Sequence, residues 1–138
     1  SPLILSSGYH TPEERLQLLR LNLRSHPEIT AVMTTNDDLA QLVLRAAADL
    51  NIRIPEELSV IGFDDYPLSA SLCPSLTTVR HPSREAGARA AESIGNYLAS
   101  NGRIPLQRDI LPTTLILRSS TAPAKNIKTA AANNSAAK

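Results

Sequence analysis

Apolar residues along this chain follow two alternating rhythms. Short runs, from Ile29 to Thr34, Leu58 to Phe63 and Leu76 to Val79, are rich in Val, Ile and Thr and have the length of buried strands. Between them lie longer segments in which apolar positions recur every three or four residues, the period of a helix with one buried face. Such alternation predicts a parallel sheet with crossover helices, an α/β fold.

Boundary chemistry sharpens each element. Thr11-Pro12-Glu13-Glu14 reads as an N-cap Thr, a Pro at the first helical position and a Glu that reaches back to close a capping box. Leu16, Leu19 and Leu23 then share one face, widened by Leu18 and Leu21, and Pro27 ends the segment, so a helix is expected over about 12–25. Asn36-Asp37-Asp38 opens the next helix, whose buried face is Leu39, Val43, Ala46, Ala47 and Leu50; Asn51 suits a left-handed C-terminal residue, and Pro55 prevents continuation. A short turn or helix is expected around Leu68 to Leu72, with Asp64 or Asp65 as its cap. Residues 83–100 form a third helix ended at Gly102, and its small positions Gly87, Ala90, Ala91 and Gly95 point to close packing. Leu3-Ile4-Leu5, Ile110-Leu111 and Thr114 to Leu117 are further strand candidates, the last two separated by Pro112. From Ala122 the chain is mostly Ala, Asn, Ser, Thr and Lys, with little to bury, and a disordered tail over 122–138 is expected.

Candidate chemistry collects where the predicted strands end. Asp64-Asp65 closes the Leu58–Phe63 run, and ligands of open parallel sheets bind at the carboxyl ends of the strands. Successive strand residues face opposite ways, so one of the two carboxylates is expected to enter a cleft, where it suits hydroxyl donors. Asn36 ends the preceding strand and reaches the same edge, as a helix cap, a ligand contact, or both. His81 follows the Leu76 strand, and His10 lies beside Tyr9 in the loop after the first strand candidate. No Gly-rich phosphate loop, nucleophile elbow or zinc-type spacing occurs, so neither an enzyme nor a cofactor or metal site is expected.

Charge and composition narrow the partners. Lys plus Arg is 14 against 13 for Asp plus Glu, a formal charge of +1, with no basic run to grip a phosphate backbone. The single cysteine, Cys73, allows no internal disulfide and leaves the compartment open, a reducing one such as the cytoplasm being compatible. No apolar stretch reaches the length of a membrane span.

Four segments carry a resemblance in order and spacing: Thr35-Asn36-Asp37-Asp38-Leu39-Ala40, Ile54-Pro55-Glu56-Glu57-Leu58-Ser59-Val60-Ile61-Gly62-Phe63-Asp64-Asp65, Pro74-Ser75-Leu76-Thr77-Thr78-Val79, and Leu115-Ile116-Leu117-Arg118-Ser119-Ser120-Thr121. Together they resemble the signatures of the LacI/GalR repressor family. The resemblance implies a periplasmic-binding-protein-like type I fold, Rossmann-like with three layers, in which two subdomains close on a small effector while a separate helix-turn-helix reads an operator. Residues 1–121 are then expected to be the C-terminal portion of the effector domain, incomplete, with about 82–107 crossing toward the other subdomain. Asn36, Asp64, His81 and His10 match or lie near its effector contacts, the effector being a sugar or related metabolite. Gln41, Arg45, Ser69, Leu72 and Cys73 match its homodimer surface, and operator DNA is contacted only through the missing head. A periplasmic sugar receptor and a free-standing dimerisation module are the alternative readings.

Overall fold

The computed structural model describes residues 11–105 and 108–124. Its elements are α1 (Pro12–Ser25), β1 (Ala31–Met33), α2 (Asp37–Asp49), β2 (Ser59–Phe63), a 3-10 turn (Pro67–Ala70), β3 (Thr77–Arg80), α3 (Ser83–Ala99) and β4 (Thr114–Ile116). The start signals act as the sequence implies. Thr11 Oγ1 accepts from Glu14 N while Glu14 Oε2 accepts from Thr11 N at 2.7 Å, and Asn36 Oδ1 accepts from Leu39 N at 2.8 Å. Caps of this kind contribute about 1 kcal/mol each. Asn51 takes φ 57 after α2, the left-handed residue its side chain tolerates.

The four strands form one sheet in chain order. β1, β2 and β3 run parallel, with Val32 beside Val60 and Gly62 beside Thr78. β4 returns antiparallel, pairing Val79 with Leu115. Helix α2 carries the chain from β1 to β2, whereas β2 reaches β3 through residues 64–76 and the 3-10 turn alone. Because the three parallel strands end on one edge, the residues that follow them are gathered there.

The core lies between the sheet and the paired helices α1 and α2. Leu16, Ala40, Val43, Ala46, Ala47, Val60 and Leu76 are wholly excluded from solvent, with Leu58 and Leu23 nearly so. Each buried Leu or Val contributes roughly 1.5–3 kcal/mol. Arg20 ties the two helices at their surface through Asp49, with Nε at 2.8 Å. At the other end of the sheet, the fully buried Ser120 pins β2 to β3: its Oγ donates to Val60 O and accepts from Thr77 N, while its carbonyl accepts from Val60 N.

Three expectations need correction. Ile110 and Leu111 are not a strand; Ile110 is 85 % exposed, and Pro112, lacking an N–H, delays the ladder until Thr114. Helix α3 forms but buries none of its residues, and a Cβ on Gly87 or Gly95 would meet nothing within 4 Å, so the close packing implied by its small residues is absent among the described residues. Neither Asp64 nor Asp65 caps the 3-10 turn, whose Tyr66 and Ser69 are held instead by Asp37. The Leu3-Ile4-Leu5 strand candidate, His10 and residues 125–138 of the expected tail lie outside the described residues.

Candidate functional site

Asn36, Asp64 and His81 follow β1, β2 and β3 respectively, so the parallel register brings all three to one edge of the sheet. Two of them touch. His81 Nε2 lies 3.1 Å from Asp64 Oδ1, and the imidazole stacks on Phe63 with ring centroids 5.6 Å apart and planes 17° from parallel. The ring is therefore held by an aromatic face and a carboxylate at once, while both side chains keep partial exposure, 37 % for His81 and 18 % for Asp64. Asn36 stands apart from this pair. Its Oδ1 is spent on capping α2, which leaves the side-chain N–H groups as its remaining donors. Both roles weighed for Asn36 are compatible, since they use different atoms.

Asp65 turns the other way. Its carboxylate receives Arg80 Nε at 2.6 Å on one oxygen and Arg118 Nη2 at 2.6 Å on the other, and its side chain is only 6 % exposed. Burial pushes the Asp65 carboxyl up, but the hydrogen bonds and positive charges of Arg118 and Arg80 outweigh it and hold the group below the ordinary carboxylate range. Arg118 also donates to Leu76 O at 2.7 Å. The two carboxylates diverge as expected, although neither lines the cleft beside α3. Asp64 stays at the edge, and Asp65 becomes a buried anchor for β3 and the segment after β4.

The backbone explains how adjacent carboxylates diverge. Asp64 has φ 109 and Asp65 φ 56, both in the region that non-glycine residues seldom occupy, so the chain leaves β2 through a strained turn. Nearby charge is negative: the Asp64 carboxylate beside it, with Asp38 and Asp37 farther off, pushes the Tyr66 phenol up. Such an edge suits hydroxyl and other neutral donors, since the two arginines close to it are both committed to Asp65.

A cleft of about 770 Å³ opens beside this edge, between α3 and Ile104, Pro105, Leu111 and Thr113; His81 lines it, along with Arg89 and Asp109. Neither Asn36 nor Asp64 reaches it. The predicted pairing residues are dispersed in their burial. Arg45 and Cys73 are exposed and Gln41 half-buried, whereas Leu72 packs in part against the core. Ser69 corrects the expectation. It is fully buried and donates to Asp37 at 2.5 Å, so its side chain is not on any surface. Asp37, Thr78, Arg80 and Arg118 also belong to this region and were not expected there; Arg80 ends β3, the strand beside the carboxylate pair, whereas Arg118 arrives from beyond β4 with no local signal.

Known proteins extend the picture. The periplasmic binding protein-like domain family matches residues 4–121. The chain is 30 % identical over 128 residues to the ribose operon repressor of Halalkalibacterium halodurans, covering 93 % of this chain and 38 % of that protein. It is also similar to the solved structure of a LacI family transcriptional regulator from Arthrobacter sp. FB24 in complex with lactose, with 35 % identity and a TM-score of 0.71 over 82 % of this chain and 43 % of that one. A LacI family regulator from Enterococcus faecium with bound ribose gives 29 % identity and a TM-score of 0.71, covering 83 % and 42 %. The chain thus spans well under half the length of these relatives. The match over most of its residues, together with the parallel-dominated sheet and the four signatures carried on it, establishes that the chain belongs to the periplasmic binding protein-like domain family, in the branch of LacI/GalR-type transcriptional regulators.

Proposed function

We propose that this chain is the effector-sensing and dimerising part of a LacI/GalR-type repressor, and that its ligand is a small neutral polyol such as a sugar. The observation that supports this most directly is the Asp64–His81 pair at the carboxyl edge of the sheet, its imidazole stacked on Phe63, with Asn36 following β1 on the same edge. A carboxylate, an imidazole and an amide offer the mixed acceptors and donors that vicinal hydroxyls require. The relatives solved with lactose and with ribose are in keeping with that chemistry. His10 is a further candidate contact.

Ligand binding at one lobe acts on DNA only by favouring one of two arrangements, a coupling of roughly 1–3 kcal/mol. The operator-reading helix-turn-helix lies outside this chain, which by itself has no basic run for phosphates. Pairing of two copies would use the outer face of α2, at Gln41 and Arg45, with Cys73 and the exposed part of Leu72; in a two-fold interface the same patch serves both partners.

The test is ligand-dependent melting with D-ribose, lactose and cellobiose on the regulator that carries this segment. One of these sugars is expected to raise the melting temperature, by an amount that grows with its concentration, and Asp64→Asn is expected to abolish the rise. A rise that survives Asp64→Asn and His81→Ala together would overturn the assignment of this edge.

A further inference from the structure

Asp37 is wholly buried, yet none of the chemistry above uses it. It is the first residue of α2, directly after Asn36, and its carboxylate points into the sheet rather than toward solvent. Oδ1 accepts from Thr78 Oγ1 at 2.6 Å; Oδ2 accepts from Ser69 Oγ at 2.5 Å and from Tyr66 N at 2.9 Å. Among the described residues no cation faces it, so three hydrogen bonds and the positive end of α2 are what stabilise it. Gly62 leaves the space it occupies: a Cβ there would stand 2.1 Å from Oδ1.

The position of these donors is informative. The strained residues Asp64 and Asp65 are bracketed on one side by Asp64 N, which donates to Val79 O at 2.9 Å, and on the other by Tyr66 N, which donates to Asp37. Thr78, the third partner, accepts at long range from Asp65 N, at 3.4 Å, and sits on β3 three residues before His81. A left-handed turn at two non-glycine residues persists only where its surroundings over-determine it. Asp37 holds the far flank directly through Tyr66 N and touches the turn a second time through the Thr78 hydroxyl, which accepts from Asp65 N.

We infer that Asp37, through Tyr66 N and Thr78, is the positioning residue of the ligand edge: it fixes the Asp64–Asp65 turn and thereby the Asp64–His81 pair. This rests on the reading of Asp64 and His81 as effector contacts. The geometric claim itself is read without ligand, so a failure of that reading and a failure of this one are distinguishable.

The experiment records the His81 ring resonances by NMR in the ligand-free chain, where stacking on Phe63 displaces them from those of a free imidazole. Asp37→Asn and Thr78→Val are expected to lose most of that displacement while the chain remains folded by circular dichroism. Thr78→Ser, which keeps the hydroxyl, restores it. Ser69→Ala, which removes a donor to Asp37 but leaves the Tyr66 N and Thr78 bonds to it intact, lowers the melting temperature and leaves the His81 resonances in place. Should Asp37→Asn fail to fold, the Thr78→Val and Thr78→Ser pair carries the test. Wild-type His81 resonances in folded Thr78→Val would overturn the inference, because a merely structural Asp37 changes stability without moving the ring.

Discussion

Helices α2 and α3 begin from similar patterns and meet opposite fates. Both place apolar residues at helical spacing, yet α2 buries Ala40, Val43, Ala46 and Ala47 against β2 and α1, whereas α3 leaves Ile94 52 % and Leu98 66 % exposed. Amphipathic periodicity specifies a helix and a face that wants covering; it does not supply the cover. The contrast divides the molecule into a packed body, α1 to β3, and an arm of α3 and the chain that returns to β4. Leu115 and Leu117 on that return are likewise exposed.

Core deletion is the strongest way to break the comparison. Leu58→Ala removes a side chain that is 1 % exposed and is expected to cost about 2–5 kcal/mol, while Leu98→Ala on the arm changes stability by less than about 0.5 kcal/mol. Urea denaturation of the two variants measures both; equal losses would mean that α3 is packed in solution. Glycine substitutions give a smaller contrast, of opposite sign. Gly62→Ala drives a methyl into the Asp37 carboxylate and is expected to cost about 1–3 kcal/mol. Gly87→Ala and Gly95→Ala meet open space inside a helix and should each gain about 0.5–1 kcal/mol of helix stability. Helicity and melting temperature report on all three.

The smallest effect concerns the tie between body and arm. Asp65 holds Arg80, which leads into α3, and Arg118, which follows β4. Burial and pairing oppose each other at this carboxyl, and pairing prevails, so its folded pKa lies below the unfolded value near ~3.9. The stabilisation it confers is therefore fully present above about pH 4 and is lost as the pH falls through the folded pKa. The urea midpoint of the wild type should fall across that acid range more steeply than that of Asp65→Asn. Parallel pH profiles would show that Asp65 does not contribute in this way.

Much of the body is legible residue by residue. The Thr11–Glu14 capping box, Asn36 as N-cap, the left-handed Asn51 and the strand ending at Phe63 all follow from local chemistry, and so does the gathering of Asn36, Asp64 and His81 at one edge once the strands are taken as parallel. Ser69 was expected on the homodimer surface from the resemblance alone, and nothing nearby in sequence announces that its partner, Asp37, lies on α2. The small residues of α3 belong to a segment expected to cross toward the other subdomain, and none of its residues is buried here. They signal a close neighbour, but the pattern cannot provide one.

By itself, then, the sequence determined the order of elements, their caps and breaks, the family signatures, and the residues that end each strand, because these depend on interactions within a few positions of the chain. Only the tertiary structure decided how the two adjacent carboxylates divide, with Asp64 going to His81 and Asp65 to the arginines, and that Asp37 underlies their turn. Those pairings join residues 15 to 53 positions apart. They exist only where the parallel register and the positive φ of two aspartates bring the side chains within hydrogen-bonding distance.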